Sequence, residues 1–296
     1  MSNYYLFCAG SFLTRTLGRR MAYGFAVFLS DLHFHFSKTD RRAVENNLKI
    51  IMNTDSVSPR DTRAVFRNFG KYLVDFFTMT KYLTPEFVRA HIDIKNMDVL
   101  NDVLQEGKGG IVVSAHLGNW EMGGAILPTM GYPVSIIALP HKEEKVNNFF
   151  NRQREAFGSV VIQTTVAVRR VMEHLKMNRF IAILADRDFG HNGLVMDFFG
   201  KKTMIPRGAS VFSLKTGAPI ILVFFIRKDD DHFEIKLYPP IYPPSIPDGK
   251  ITDDILKTYT QQYLTIFEEE IRKNPTQWLM FREFGVNENI DNYTRS

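Results

Sequence analysis

Cysteine is almost absent from this chain. The single example, Cys8, leaves no intrachain disulfide to form, which fits a reducing compartment. No stretch reads as an uninterrupted membrane span. The longest uncharged run, Met122–Pro140, approaches the roughly 20 residues a spanning helix needs, but Pro128, Gly131 and Pro133 divide it into helix, turn and strand. No basic n-region precedes the first apolar stretch, which argues against a cleaved signal peptide. The net charge of +5 comes without a block of five or more Lys or Arg, without zinc-finger spacing and without an aromatic RNA-binding motif. That argues against nucleic acid and leaves phosphates or anionic headgroups as partners for a mildly basic surface.

What is present is apolar. Of 296 residues, 45% are hydrophobic and 23% charged, the balance of an ordered globular protein, and 25 are Phe. Either a Phe-rich core or a lipid partner accounts for that count. The segment Tyr4–Leu13 is apolar, Arg15, Arg19 and Arg20 follow, and Met21–Phe36 is apolar again apart from Asp31 and two histidines. Each piece is too short to span a bilayer. Two readings stand: amphipathic segments in a membrane interface with arginines at headgroup level, or buried helices packed on the body.

Residues 1–90 read as an N-terminal helical, membrane-associating segment and residues 91–296 as an α/β domain. Val44, Leu48 and Ile51 mark one helix face, Ser58-Pro59 opens a second helix and Thr84-Pro85 a third. From about residue 91, short apolar runs alternate with helical stretches. HIDIKN, GGIVVSAH, VSIIAL, SVVIQT, FIAILAD, PIILVFFI and FEIKLYPP are the strands, and Met97–Gln105, Lys142–Phe157 and Val166–Met177 the helices between them. The fold class is α/β, a central, mostly parallel sheet flanked by helices. A last helix starts near Thr252, buries Ile255, Tyr259, Tyr263, Ile266 and Phe267, and ends at Asn274-Pro275; the tail after Gly285 reads as loose.

Two constellations carry candidate chemistry. In GGIVVSAHLGNWEMGG (109–124), a strand runs into His116, then Leu117-Gly118, then a helix start. His116 and Glu121 would point about 140° apart on a continuous helix. A turn loosened by Gly118 lets the carboxylate fold back and hold one imidazole nitrogen, leaving the other as a base. The alternative is a satisfied His in a turn and an N-terminal helix Glu. A metal site would need further ligands at close spacing, and none follows. There is no G-x-S-x-G elbow, no Walker loop and no G-x-G-x-x-G after a strand. The second constellation is FIAILADRDFG (180–190), a buried strand ending in Asp186, Arg187, Asp188 and Gly190. Charges at the carboxyl edge of such a strand are where open α/β sheets place their sites. Arg187, between two aspartates, would be held to meet a phosphate; a surface ion-pair loop is the other reading.

The H-x4-E of HLGNWE, the later ADRDFG and FFG, the IPRGAS…KTGAPI run and PTQW occur in that order, with VENNLKI (44–50) before them. This ordered set resembles the bacterial lipid A secondary acyltransferases, the lauroyl/myristoyl acyltransferase family, and the related mycobacterial mannoside acyltransferases, across nearly the whole chain. The resemblance implies a membrane-associated acyltransferase on the cytoplasmic face of the inner membrane. It implies that a fatty acyl chain moves from an acyl carrier protein or coenzyme A thioester to a hydroxyl of a lipid or glycolipid, with no covalent acyl-enzyme, no metal and no cofactor beyond the thioester. His116 would be the general base and Glu121 its orienter. Arg154, in RQREAFGSVVI, would bind a phosphate or oppose the oxyanion, unless it is a solvated helix arginine. Arg187 with Asp186, Asp188, Gly190 and Asn119 would make up the rest of the substrate site, and the Phe-rich segments would line an acyl channel. A thioesterase using the same pair, or a non-catalytic lipid-binding relative, remains open. After PTQW the chain continues Leu279-Met280-Phe281-Arg282-Glu283-Phe284, where the lipid A enzymes carry a Trp- and His-bearing basic segment, so the resemblance defines the reaction better than the acceptor.

Overall fold

A computed structural model describes residues 3–188, 193–228, 232–246 and 248–285. Five helices open the chain: α1 (Asn3–Thr16), α2 (Arg19–Phe36), α3 (Lys38–Met52), α4 (Pro59–Tyr82) and α5 (Pro85–His91). Their ends follow from local chemistry. The Ser58 hydroxyl accepts from Arg60 N and the Thr84 hydroxyl from Phe87 N, each ahead of a proline whose missing N–H costs nothing in a first turn. Among the described residues no helix is long and apolar enough to cross a membrane.

The alternating part follows as β1 (Ile92–Ile94), α6 (Asp98–Gln105), β2 (Gly110–Ser114), α7 (Trp120–Thr129), β3 (Val134–Ala138), α8 (Glu144–Glu155), β4 (Val160–Gln163), α9 (Ala167–Lys176) and β5 (Phe180–Leu184). Then come β6 (Leu194–Phe198), β7 (Lys201–Ile205), α10 (Gly208–Thr216), β8 (Ile220–Arg227), β9 (Phe233–Leu237) and α11 (Asp253–Lys273). Seven strands form one sheet in the order β1-β9-β8-β2-β5-β3-β4. All its neighbours run parallel except β8 and β9. The mostly parallel α/β sheet expected from the alternation is therefore present.

Both faces of the sheet are covered, and the two-residue period of the strands sorts side chains between them. Ile111, Val113, Ile220, Leu222 and Phe224 pack with Val171 of α9 and Tyr263 and Phe267 of α11. Val112, Ile221, Val223 and Phe225 pack on the other side with Phe76 and Phe77 of α4, Ile126 of α7 and Phe150 of α8. Covering both faces explains why β8 is buried along its whole length and reads as an unbroken apolar run. Residues 1–90 pack directly on this body: α4 gives its second half to the sheet core and its first half to a cluster with Val44 and Leu48 of α3 and Leu279.

The β6–β7 hairpin was not foreseen. Phe198 pairs with Lys201 across Phe199-Gly200, which have φ of 52° and 71°. Positive φ at both central residues is the geometry that lets a two-residue turn follow the strand twist. Phe199 tolerates that conformation because the surroundings hold it: its N–H donates to Glu268 Oε1 at 2.6 Å, and Arg272 lies 4.9 Å over its ring. The loose tail expected after Gly285 lies outside the described residues.

Candidate active site

The parallel register of β2 and β5 assembles the centre. Ser114 stands opposite Leu184 and Ala185 N donates to Ser114 O at 3.0 Å, so the two strands end side by side. Two residues beyond each end, His116 meets Asp186. Its Nδ1 lies 2.7 Å from Asp186 Oδ1, and its backbone N–H donates to Oδ2 at 3.0 Å. The indole Nε1–H of Trp278 donates to the same Oδ2 at 2.9 Å. Asp186 is buried, and burial opposes its ionisation. The charge and hydrogen bond of His116, with Arg187 and Trp278, nonetheless hold the carboxyl well below the usual carboxylate range. His116 keeps 16% side-chain exposure, and among the described residues its Nε2 has no hydrogen-bond partner.

The turn that carries His116 is clamped from two sides. Gly118 has φ +67°, and a Cβ there would collide with the Phe225 carbonyl oxygen, so only glycine fits. Gly118 N donates to Gln277 O and Asn119 N to Phe225 O, both at 2.9 Å, while Leu279 N donates to His116 O at 2.9 Å. The Gln277 amide in turn bonds both backbone groups of Arg227 at the end of β8. PTQW is thus a latch that seats the His116 turn against the sheet.

Glu121 does not hold the imidazole, contrary to the expectation from H-x4-E. It lies in the first turn of α7, past the Gly118 reversal, and pairs with Arg154 of α8 through two hydrogen bonds of 2.9 and 2.6 Å. Helix geometry sends the Glu121 side chain toward α8, while the sheet register brings Asp186 to His116. Asp186 is accordingly consumed by His116 and Trp278 instead of facing a substrate. Arg154 is neither solvated nor open to a ligand on its whole edge, since its Nε and Nη2 both point at Glu121.

The other expected site residues divide. The Asn119 side chain caps α7 by accepting from Met122 N at 3.2 Å and donates to Asp75 Oδ2 at 2.8 Å, a structural assignment where a substrate contact was expected. Arg187 is not clamped between two aspartates: its Nη2 donates to Leu279 O, and its buried Nε has no partner among the described residues. Asp188 accepts from Gly193 N at 3.1 Å. Gly190 lies outside the described residues. Among the described residues no three His, Cys, Asp or Glu gather as a metal site would require.

Two contributors escaped the sequence reading. Asp75, buried in α4, receives Arg19 at 3.1 Å, Tyr23, Arg227 and Asn119, and so ties α2 and β8 to the start of α7. Tyr72, also in α4, stacks on Trp120 with 4.5 Å between ring centroids, and Trp120 sets its edge against His116 at 4.9 Å. Only the run of aromatics in α4 hinted at them, and it reads equally well as core.

The chain is similar to known proteins along most of its length. The profile of the family described as bacterial lipid A biosynthesis acyltransferase matches residues 1–284. A phosphatidylinositol mannoside acyltransferase of Mycolicibacterium smegmatis is 26% identical over 282 residues, covering 93% of this chain and 89% of that protein. The lipid A biosynthesis palmitoleoyltransferase of Escherichia coli is 24% identical over 251 residues, covering 82% and 78%. A phosphatidylinositol mannoside acyltransferase of Mycobacterium tuberculosis is 25% identical over 225 residues, covering 74% and 68%.

Proposed function

The chain belongs to the bacterial lipid A biosynthesis acyltransferase family and is an acyltransferase; from that premise we propose that it moves a fatty acyl group from a thioester to a hydroxyl of a lipid or glycolipid, with His116 as general base. The observation that carries the reading is the His116–Asp186 pair, in which one imidazole nitrogen is bound to a buried carboxylate and the other is unpartnered. An ionised Asp186 keeps the proton on Nδ1, so Nε2 presents its lone pair. When Nε2 takes the acceptor's proton, the adjacent carboxylate stabilises the imidazolium. A positioned base of this kind contributes on the order of 10²–10⁴ in rate.

The oxygen then attacks the thioester carbonyl directly. Acyl carrier protein or coenzyme A is the donor carrier in this reading, the thioester is the co-substrate, and no cofactor takes part. The Glu121–Arg154 pair ties α7 to α8, and Arg187 directly follows the Asp186 that holds His116. The membrane is the source of the acceptor. Support for that comes from the outward faces of α1 and α2, where Leu6, Phe12, Met21, Phe28 and Phe36 are each 60–72% exposed. Arg15 and Arg20, exposed between the two faces, suit anionic headgroups. The cytoplasmic face of the inner membrane is the location that gives such an enzyme both a carrier thioester and a lipid hydroxyl.

The test is transfer of labelled acyl groups from acyl-CoA and acyl carrier protein into extracted bacterial lipids. Wild type transfers label and His116→Ala loses at least 100-fold. Equal rates in both would remove the base from His116. Label released as free acid at a rate indifferent to added lipid would make the protein a thioesterase.

A further inference from the structure

Two hydrogen-bond donors near His116 lack any partner within the described protein. Tyr72 is 6% exposed, and among the described residues its hydroxyl makes no hydrogen bond. The Arg187 Nε is buried and equally unpaired there. Enclosed polar atoms are nearly always satisfied, so Arg187 Nε is an exception that asks for a reason; the Tyr72 hydroxyl is not among the enclosed unpaired atoms. They come from elements far apart in sequence, α4 and the end of β5, and tertiary packing brings them near enough for the Arg187 charge to act on the Tyr72 phenol.

Each is tied to the catalytic pair. Arg187 directly follows Asp186, and its Nη2 is anchored on Leu279 O, in the segment that also latches His116 O. Tyr72 is wedged by stacking against Trp120 and Phe76, and Trp120 contacts the His116 ring. The charges acting on the phenol are Glu121, Arg154 and Arg187. Burial, and then the Glu121 carboxylate, push it well above its ordinary range, so at neutral pH it is a neutral donor. Arg154 is a weaker candidate for the same task, because two of its donors are committed to Glu121.

We infer that the Tyr72 hydroxyl and Arg187 Nε donate to the thioester carbonyl oxygen as it becomes an oxyanion. This inference rests on the proposed acyl transfer. In that step His116 Nε2 accepts the acceptor's proton while the acceptor oxygen forms a bond to the carbonyl carbon. The carbonyl π pair moves onto its oxygen, which Tyr72 and Arg187 meet. On collapse the C–O double bond returns, the C–S bond breaks and the thiolate takes the proton from the imidazolium. Donors fixed in place before the charge appears act on the transition state and not on the bound thioester, which is where such groups accelerate a reaction most.

Tyr72→Phe tests this cleanly. It removes an unpaired hydroxyl and keeps the stacked ring, so a purely structural tyrosine predicts unchanged or higher thermal stability and unchanged kinetics. The inference expects kcat to fall about 10²–10³-fold, with the KM for the thioester within about threefold and the Tm not lowered. An unchanged kcat, or a rise in KM alone, would overturn it. Binding gives a second measurement that needs no turnover and stands even if His116 proves not to be the base. A phosphopantetheine donor mimic with an anionic phosphonate in place of the carbonyl should bind Tyr72→Phe at least about tenfold more weakly than wild type, while the matching thioether binds both equally. Equal phosphonate affinity would refute the oxyanion role.

Discussion

Asp186→Asn separates the two carboxylates that compete for the imidazole. In the wild type, Oδ2 accepts from His116 N and Trp278 Nε1, and Oδ1 faces His116 Nδ1. An asparagine fits the same space. Its carbonyl oxygen keeps the two accepted hydrogen bonds, and its amide then points N–H donors at Nδ1. The imidazole must turn Nδ1 into an acceptor and carry its proton on Nε2, the nitrogen that the proposed mechanism uses as base. The expected cost is about 10³–10⁴ in kcat, the loss typical of forcing the wrong tautomer. Stability at neutral pH changes little, since the shape and both accepted bonds survive. The acid limb does change. The Asp186 carboxyl is held low in the folded chain, so it stabilises the wild type above the unfolded carboxylate value of about 4 and loses that contribution as pH falls toward the folded value. Asp186→Asn should lose less stability over that window. The assay is acyl-transfer kinetics together with ¹⁵N shifts of labelled histidine. Nδ1–H is expected in wild type and Nε2–H in Asp186→Asn. Glu121→Gln should leave the proton on Nδ1, because it touches Arg154 and not His116. A tautomer switch in Glu121→Gln, or kcat within tenfold of wild type for Asp186→Asn, would refute the assignment.

Three further outcomes follow from the packing. Gly118→Ala places a methyl against the Phe225 carbonyl at φ +67° and should cost about 2–4 kcal/mol in urea denaturation, so a wild-type midpoint would contradict the turn geometry. Asp31→Asn breaks the part-exposed bridge to Arg67 and Arg63 between α2 and α4, worth about 0.5–1 kcal/mol at neutral pH. The hydrogen bond from Arg67, foremost, holds the Asp31 carboxyl well below its ordinary range, so the gap between variant and wild type should persist above about pH 4 and close on acidification. A gap that closed in base instead would reverse the sign. The double variant Phe12→Glu, Phe28→Glu changes side chains 71% and 60% exposed, so Tm should barely move while flotation with anionic vesicles drops at least about tenfold; undiminished flotation would take the membrane face away from α1 and α2.

From the chain alone one reads the elements and the address of the site. The period-two and period-3.6 patterns, with Ser58-Pro59, Thr84-Pro85 and Asn274-Pro275 as punctuation, mark most helices and strands because those signals are local. The break of GGIVVS into HLGN marks the carboxyl end of a buried strand, and Gly118 marks a turn that needs positive φ. The Phe199-Gly200 hairpin was legible in principle from alternating residues around a Phe-Gly pair, but phenylalanine at positive φ is rarely favoured unless tertiary contacts hold it.

Which carboxylate serves His116 was not a local matter. Glu121 is nearer in sequence, yet helix α7 carries it to Arg154, and the β2–β5 register carries Asp186 across the sheet edge to the imidazole. Tyr72 and Trp278 arrive at the same centre from opposite ends of the chain, as α4 packs on α7 and the PTQW latch closes over the turn. Sequence spacing reports distance along the backbone. Chemistry depends on distance through space, and here strand register and helix packing set it.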